Sequence, residues 1–88
     1  MKIKENYMLR QVADTFVVVP IGAAVAEFNG MINLNGVGAF LWRQMEVDTT
    51  FENVLNAMLD EFEVDEKTAS KDLEGFIEEL RKSNLIDE

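Results

Sequence analysis

The spacing of the apolar residues changes near Asn35, and that change limits the fold more than any other feature of the chain. Before it the sequence reads as short strands, and after it the apolar positions recur at helical intervals. Tyr7 to Val12 and Thr15 to Val19 are strand-like, the second β-branched and aromatic, with Ala13-Asp14 as the turn between them. Pro20 lacks a backbone donor and ends that pairing or marks a bulge or an edge. Asn29-Gly30 lies between Ala24 to Phe28 and Met31 to Leu34, and Asn-Gly suits a tight hairpin whose two central residues need positive φ. The register this predicts sets Phe28 opposite Met31, Glu27 opposite Ile32 and Val25 opposite Leu34. Ile32 and Leu34 then share the sheet face that meets the helices, and Met31 and Asn33 share the other.

Three helices are expected after Asn35. Asn35-Gly36 caps the first, from about Val37 to Met45, with Phe40, Leu41 and Met45 as its apolar stripe and Trp42 beside it. Thr49 and Glu52 have the spacing of a capping box and open a second helix reaching about Phe62. Its stripe is Phe51, Val54, Leu55, Met58, Leu59 and Phe62. Asp65 caps a third helix, from Glu66 to about Ser83, whose stripe is Ala69, Leu73, Phe76, Ile77 and Leu80. Leu85-Ile86 follow as a short apolar tail that tucks back onto the sheet or core. Three to four short N-terminal antiparallel strands followed by three helices make an α+β fold of winged helix-turn-helix type. With 88 residues, one domain spanning positions 1–88 is the expectation.

Composition removes much chemistry. The chain has no cysteine and no histidine, which excludes thiolate nucleophiles, disulfides, Cys/His zinc sites and histidine general bases. The acidic run Asp60-Glu61-Phe62-Glu63-Val64-Asp65-Glu66 lacks the glycine and ligand spacing of a calcium loop, so no metal is expected. Gly36 and Gly38 are followed by no lysine at phosphate-loop spacing. The carboxylates of the helices sit in no apolar setting that would raise their pKa for acid-base work. No cofactor and no catalytic residue follow from this reading.

The net charge of −9 is unevenly distributed: residues before Glu46 carry +1, and the remainder carry −10. Such a surface repels a phosphate backbone and favours a neutral or basic partner. Charged Lys2, Lys4 and Glu5 lead into the first strand, unlike a signal peptide. The most apolar run, Thr15 to Ala26, is interrupted by Pro20 and Gly22 and falls short of the ~20 residues a bilayer requires. A cytoplasmic protein with no nucleic-acid or membrane partner is the expectation.

Taken in order, these segments resemble a known family over nearly the whole chain. They are Leu9-Arg10-Gln11-Val12 with Phe16 to Pro20, then Phe28-Asn29-Gly30-Met31-Ile32-Asn33-Leu34-Asn35 and Gly38-Ala39-Phe40-Leu41-Trp42. Val64-Asp65 and Asp72-Leu73, Phe76-Ile77, Leu80 and Asn84-Leu85-Ile86 complete the series. Together they are similar to the PqqD-like family, named for pyrroloquinoline quinone biosynthesis. Val37 stands where many relatives carry Thr, and Asn84 where they carry Gly.

The resemblance implies a non-catalytic recognition element for ribosomally made (RiPP) precursor peptides. Such domains bind the precursor's leader as an added strand, in a cleft between the third strand and the third helix. They present it to a modifying enzyme such as a radical SAM enzyme, a cyclase or a protease. Carried onto this chain, the peptide-binding candidates are Met31, Ile32, Asn33 and Leu34 on the edge strand. Asp72, Leu73, Phe76, Ile77 and Arg81 on the last helix join them. Strand addition needs a sheet edge with unpaired backbone groups, and specificity then comes from pockets beside it. The plainer readings are that Leu73, Phe76 and Ile77 are core, that Met31 and Asn33 face solvent, and that Asp72 solvates its helix. An open strand edge also permits strand-paired or swapped homodimers.

Two other classes compete: a winged-helix DNA-binding regulator, and an accessory or oligomerisation module with no peptide ligand. Charge separates the first from the adaptor. The third helix sets Lys67, Lys71, Arg81 and Lys82 against Glu66, Asp72, Glu74, Glu78 and Glu79, whereas a recognition helix needs an excess of basic residues. Duplex DNA is therefore expected to show no salt-dependent retardation with this protein in a gel-shift titration. Retardation that weakens with added salt would restore the regulator.

Overall fold

A computed structural model describes residues 1–26 and 32–88. The chain opens with β1 (Lys2–Ile3), β2 (Tyr7–Val12) and β3 (Thr15–Pro20), followed by a 3₁₀ segment, Gly22–Ala26. Then come β4 (Ile32–Leu34), α1 (Gly36–Gln44), α2 (Phe51–Glu61), α3 (Glu66–Lys82) and β5 (Ile86–Asp87). The α+β order expected from the change of period is observed.

β2 and β3 pair antiparallel from Val12↔Thr15 to Tyr7↔Pro20, so Ala13-Asp14 is the two-residue turn. Ala13 takes a φ of 55°, a left-handed conformation in which its Cβ is crowded. β4 adds to the other side of β3, with Phe16↔Leu34, Val17↔Asn33 and Val18↔Ile32 as partners. Side chains alternate along a strand, so Tyr7, Leu9, Phe16, Val18, Ile32 and Leu34 share one face. Val18 on that face is fully buried, and Tyr7, Leu9, Ile32 and Leu34 pack against the core. The expectation that the Ile32/Leu34 face meets the helices therefore holds.

The expected hairpin does not hold in its first arm. Residues 24–26 belong to the 3₁₀ segment, and Leu34 pairs with Phe16 instead of Val25. The reason is local. Gly22 adopts a φ of 59°, and the Ile21 N–H donates to the Asn6 carbonyl at 2.8 Å, turning the chain off the line of β3. Ala24 is then buried while Val25 is exposed. The β-branched run Thr15–Val19 takes up the pairing with β4 instead. Asn29-Gly30 and Met31, and the pairings of Phe28 with Met31 and Glu27 with Ile32, lie outside the described residues.

The helix caps follow from short polar side chains at the right positions. Asn35 Oδ1 accepts from the Gly38 N–H at 2.8 Å, and Asp65 Oδ2 accepts from the Thr68 N–H at 3.3 Å. Those hydrogen bonds at Thr68 hold the Asp65 carboxyl below its ordinary value. The second helix is capped one residue later than its Thr49/Glu52 spacing predicts. Thr50 Oγ1 accepts from the Asn53 N–H at 3.1 Å, while the Thr49 N–H donates to the Met1 carbonyl at 2.9 Å. Thr49 is thus tied by its backbone to the N-terminus, and Thr50 is the residue left to cap the helix. At the far end of α3, Asn84 adopts a φ of 57° and the Leu85 N–H reaches back to the Leu80 carbonyl at 2.9 Å. Asn is among the few non-glycine residues that tolerate this left-handed cap.

The core is one cluster built from all three helices and the sheet face. Trp42, read from the sequence as flanking the α1 stripe, is fully buried, whereas Phe40 is only half-buried and meets Phe62 edge-on at 5.2 Å. Among the described residues the Trp42 indole N–H finds no hydrogen-bond partner. The bulk of its ring packing must offset that loss. Leu85 and Ile86 are buried, and Ile86 pairs with Ile3 in a second, two-stranded sheet of β1 and β5. The Ile3 N–H donates to Met45 and the Lys4 N–H to Leu85, at 2.8 and 2.9 Å, so this small sheet ties both ends of the chain to the helices.

Two stability outcomes follow. Leu73 is fully buried, so Leu73→Ala is expected to lower unfolding stability by about 2–5 kcal/mol, read as a shifted urea midpoint. Ala13→Gly relieves the left-handed φ at the hairpin turn and is expected to raise the midpoint, by roughly 0.5–1 kcal/mol after the added chain entropy of glycine. A lower midpoint for Ala13→Gly would count against crowding at that turn.

Candidate peptide-binding cleft

β4 lies at the margin of its sheet, whose order is β2-β3-β4. Among the described residues no strand covers its other side. Beyond β4 the chain passes through Asn35 directly into α1, and Asn35 lines the gap between α1 and α3. There an open cleft of about 510 Å³ is lined by Asn35, Val37, Gly38 and Leu41 on one side and Lys71, Asp72, Gly75, Phe76 and Glu79 on the other. Val37, Leu41 and Phe76 give it an apolar floor, and Lys71, Asp72 and Glu79 are exposed at its rim. A smaller cavity of about 100 Å³, lined by Val37, Met58, Phe62, Val64 and Asp72, adjoins it through Val37 and Asp72.

The residues of α3 fall on distinct sides of its core stripe. At about 100° per residue, Asp72, Gly75, Phe76 and Glu79 project to one flank and Glu74, Glu78 and Arg81 to the other. Asp72 and Phe76, two of the sequence candidates, therefore come together in the cleft. Leu73 lies beneath, fully buried, and Ile77 is buried and lines a separate groove with Phe51, Glu74, Glu78 and Arg81. Arg81 is occupied on that side: its Nη2 pairs with Glu88 Oε1 at 2.6 Å and its Nη1 with Glu78 Oε2 at 3.3 Å. The Arg81 guanidinium holds the Glu88 carboxyl below its ordinary value, and the two carboxylates raise the guanidinium further. Arg81 thus ties α3 to the end of the chain, away from the α1–α3 gap.

On the sheet, Ile32 and Leu34 are half-buried with side chains toward the core, and Asn33 is exposed on the opposite face beside Val17. Met31 lies outside the described residues. Val37, Gly38, Leu41, Lys71, Gly75 and Glu79 are cleft residues that sequence spacing did not single out. The signal for the α3 members was present, since positions 71, 72, 75, 76 and 79 recur at helical intervals beside the core stripe.

The arrangement suits binding more than chemistry. Among the described residues no group of three or more acidic, histidine or cysteine side chains is placed to hold a metal. No helix among them is long and apolar enough to cross a membrane. What the cleft offers is a margin of strand beside an apolar floor with a charged rim, the surface an extended peptide needs.

Comparison with known proteins agrees with this geometry. A family model described as "Coenzyme PQQ synthesis protein D (PqqD)" matches residues 14–86. Among solved structures, the chain is similar to TbiB1 in complex with the TbiA(beta) leader peptide, with a TM-score of 0.78 and 24% identity. That match covers 99% of this chain and 95% of the other. It is also similar to a lasso peptide synthetase B1 complexed with the leader peptide, with a TM-score of 0.73 and 15% identity over 96% of this chain and 93% of that one. No curated protein sequence matches it.

Proposed function

This chain belongs to the PqqD family, and from that premise we propose that it is a peptide-recognition adaptor that binds the leader of a ribosomally made precursor peptide by strand addition. The observation that carries the reading is the margin of β4 that no described strand covers, followed at once by Asn35 at the edge of the α1–α3 cleft. Both structural neighbours were solved with leader peptides, and they share this fold over nearly their whole length.

The leader lies along Ile32, Asn33 and Leu34, with Met31 at the start of the segment. Its backbone continues the β2-β3-β4 ladder, and alternate side chains enter the cleft over Val37 and Phe76. Each apolar side chain fully buried there contributes about 1.5–3 kcal/mol. Ordering a flexible leader offsets much of that gain, which sets the affinity in the micromolar to submicromolar range. Asp72, Lys71 and Glu79 select at the rim. Leu73 and Ile77 support the α3 wall from below, and Arg81 braces the end of that helix.

The adaptor itself catalyses nothing. It holds the leader beside a modifying enzyme such as a radical SAM enzyme, a cyclase or a protease, and it works in the cytoplasm, where the precursor is made. The same β4 margin can pair with a second copy of the chain, and a homodimer formed that way would compete with the peptide.

The test is a titration of isotope-labelled protein with synthetic leader segments of candidate precursor peptides. Amide signals of Ile32–Leu34 and of residues 71–79 are expected to move. Val37→Glu, which sets a carboxylate on the apolar floor, is expected to weaken binding about tenfold or more, while the exposed Val47→Glu leaves it unchanged. Saturating peptide that leaves those amides in place, or equal affinity for Val37→Glu, would sink the proposal.

A further inference from the structure

Gly75 stands in the middle of α3, where glycine is a worse choice than any residue but proline. Other described glycines have local reasons. Gly22 has a positive φ, and Gly36 occupies the first turn of α1, where its N–H lacks an intrahelical partner in any case. At Gly38 an added Cβ would sit 3.3 Å from Leu34 Cβ and 3.4 Å from Asn35 Oδ1, so α1 and β4 press on it. Gly75 has no such reason. Its φ is not positive, and a Cβ built on it meets nothing within 4 Å. Among the described residues no contact needs the missing side chain.

The space in front of Gly75 is the cleft. Gly75 lines its α3 wall, so that wall lacks a side chain above the floor of Val37, Leu41 and Phe76, while the space beside Gly38 is taken by Leu34 and Asn35. We infer that Gly75 is a specificity position, keeping the cleft wide enough for one large apolar side chain of the bound peptide, aromatic or of leucine or methionine size. This rests on the peptide-binding reading of the β4 margin and adds to it what the peptide must carry. The helix gives up stability at Gly75, and the peptide fills the room that leaves. Any side chain at position 75 narrows the cleft from the wall, while Asp72 and Glu79 on the same flank leave the floor apolar.

The experiment uses the full chain, its Gly75→Ala and Gly75→Leu variants, and a random peptide library displayed on phage. Without peptide, Gly75→Ala is expected to melt about 4–8 °C higher than the parent, because alanine favours the helix and nothing obstructs its methyl group. Peptides selected on the parent chain are expected to share a large apolar residue at one position. They should bind Gly75→Ala about tenfold more weakly and Gly75→Leu more weakly still. Reselection on Gly75→Ala should return a smaller residue at that position. Parent-selected peptides with no such residue, or with unchanged affinity for a folded Gly75→Ala, would overturn the specificity role and leave peptide binding intact. A parent chain that enriches no peptide at all would overturn the peptide-binding reading itself, and the role of Gly75 with it.

Discussion

The pairing of β4 with β3 is the constraint on which the rest of the molecule depends. Val18 opposite Ile32 and Phe16 opposite Leu34 put both β4 side chains on the core face. A shift of one residue would turn Ile32 and Leu34 to solvent and Asn33 inward. Because β3 is already paired with β2 on its other side, this register leaves β4 at the sheet margin. Asn35, next in the chain, then caps α1 and fixes the distance from that margin to the helical wall. Strand edge, cap and cleft are therefore consequences of one ladder.

Much of this was legible in the sequence because it is local. The change of period at Asn35, the Asn35 and Asp65 caps and the core stripe of α3 each depend on residues within a few positions of one another. What escaped is non-local. Pairing of β1 with β5 joins Ile3 to Ile86, and neither two-residue strand has a pattern of its own. A second long-range contact, the Thr49 N–H on the Met1 carbonyl, sits where the sequence placed the α2 cap, and Thr50 caps the helix instead. The described part of the expected Ala24–Phe28 arm, residues 24–26, is 3₁₀ because Gly22 bends the chain, a backbone choice that residue type permits but does not announce. At the site, periodicity placed Asp72 and Phe76 on α3 without telling one flank from the other. Nor does periodicity show that Arg81 pairs with Glu78 and Glu88, a contact that depends on where the chain goes after α3. Gly75 was passed over because a mid-helix glycine reads as a defect until the space before it is seen.

Charge adds a second layer. The acids of α2 and α3 outnumber their bases, and the strands before them are close to neutral. A field of this sign draws in a basic or neutral partner and discourages an acidic one, an effect on encounter that fades with salt. Within the cleft the rim is mixed, Lys71 against Asp72 and Glu79, so a passing peptide is sorted by where its charges fall as much as by their sum.

The length of β4 decides where selectivity resides. The three described residues of β4 present only a short row of backbone groups, so a partner gains few ladder bonds from them. A short edge also protects the chain against indiscriminate pairing with other strands, the standing hazard of an open sheet margin. Both effects push the energy of recognition away from the backbone and into side chains. The cleft between α1 and α3 is where those side chains can be buried, over Val37, Leu41 and Phe76. A β4 twice as long would bind more tightly and choose less well. In the proposed binding mode the strand margin supplies direction and register to an extended peptide, and the helical walls supply the choice among peptides.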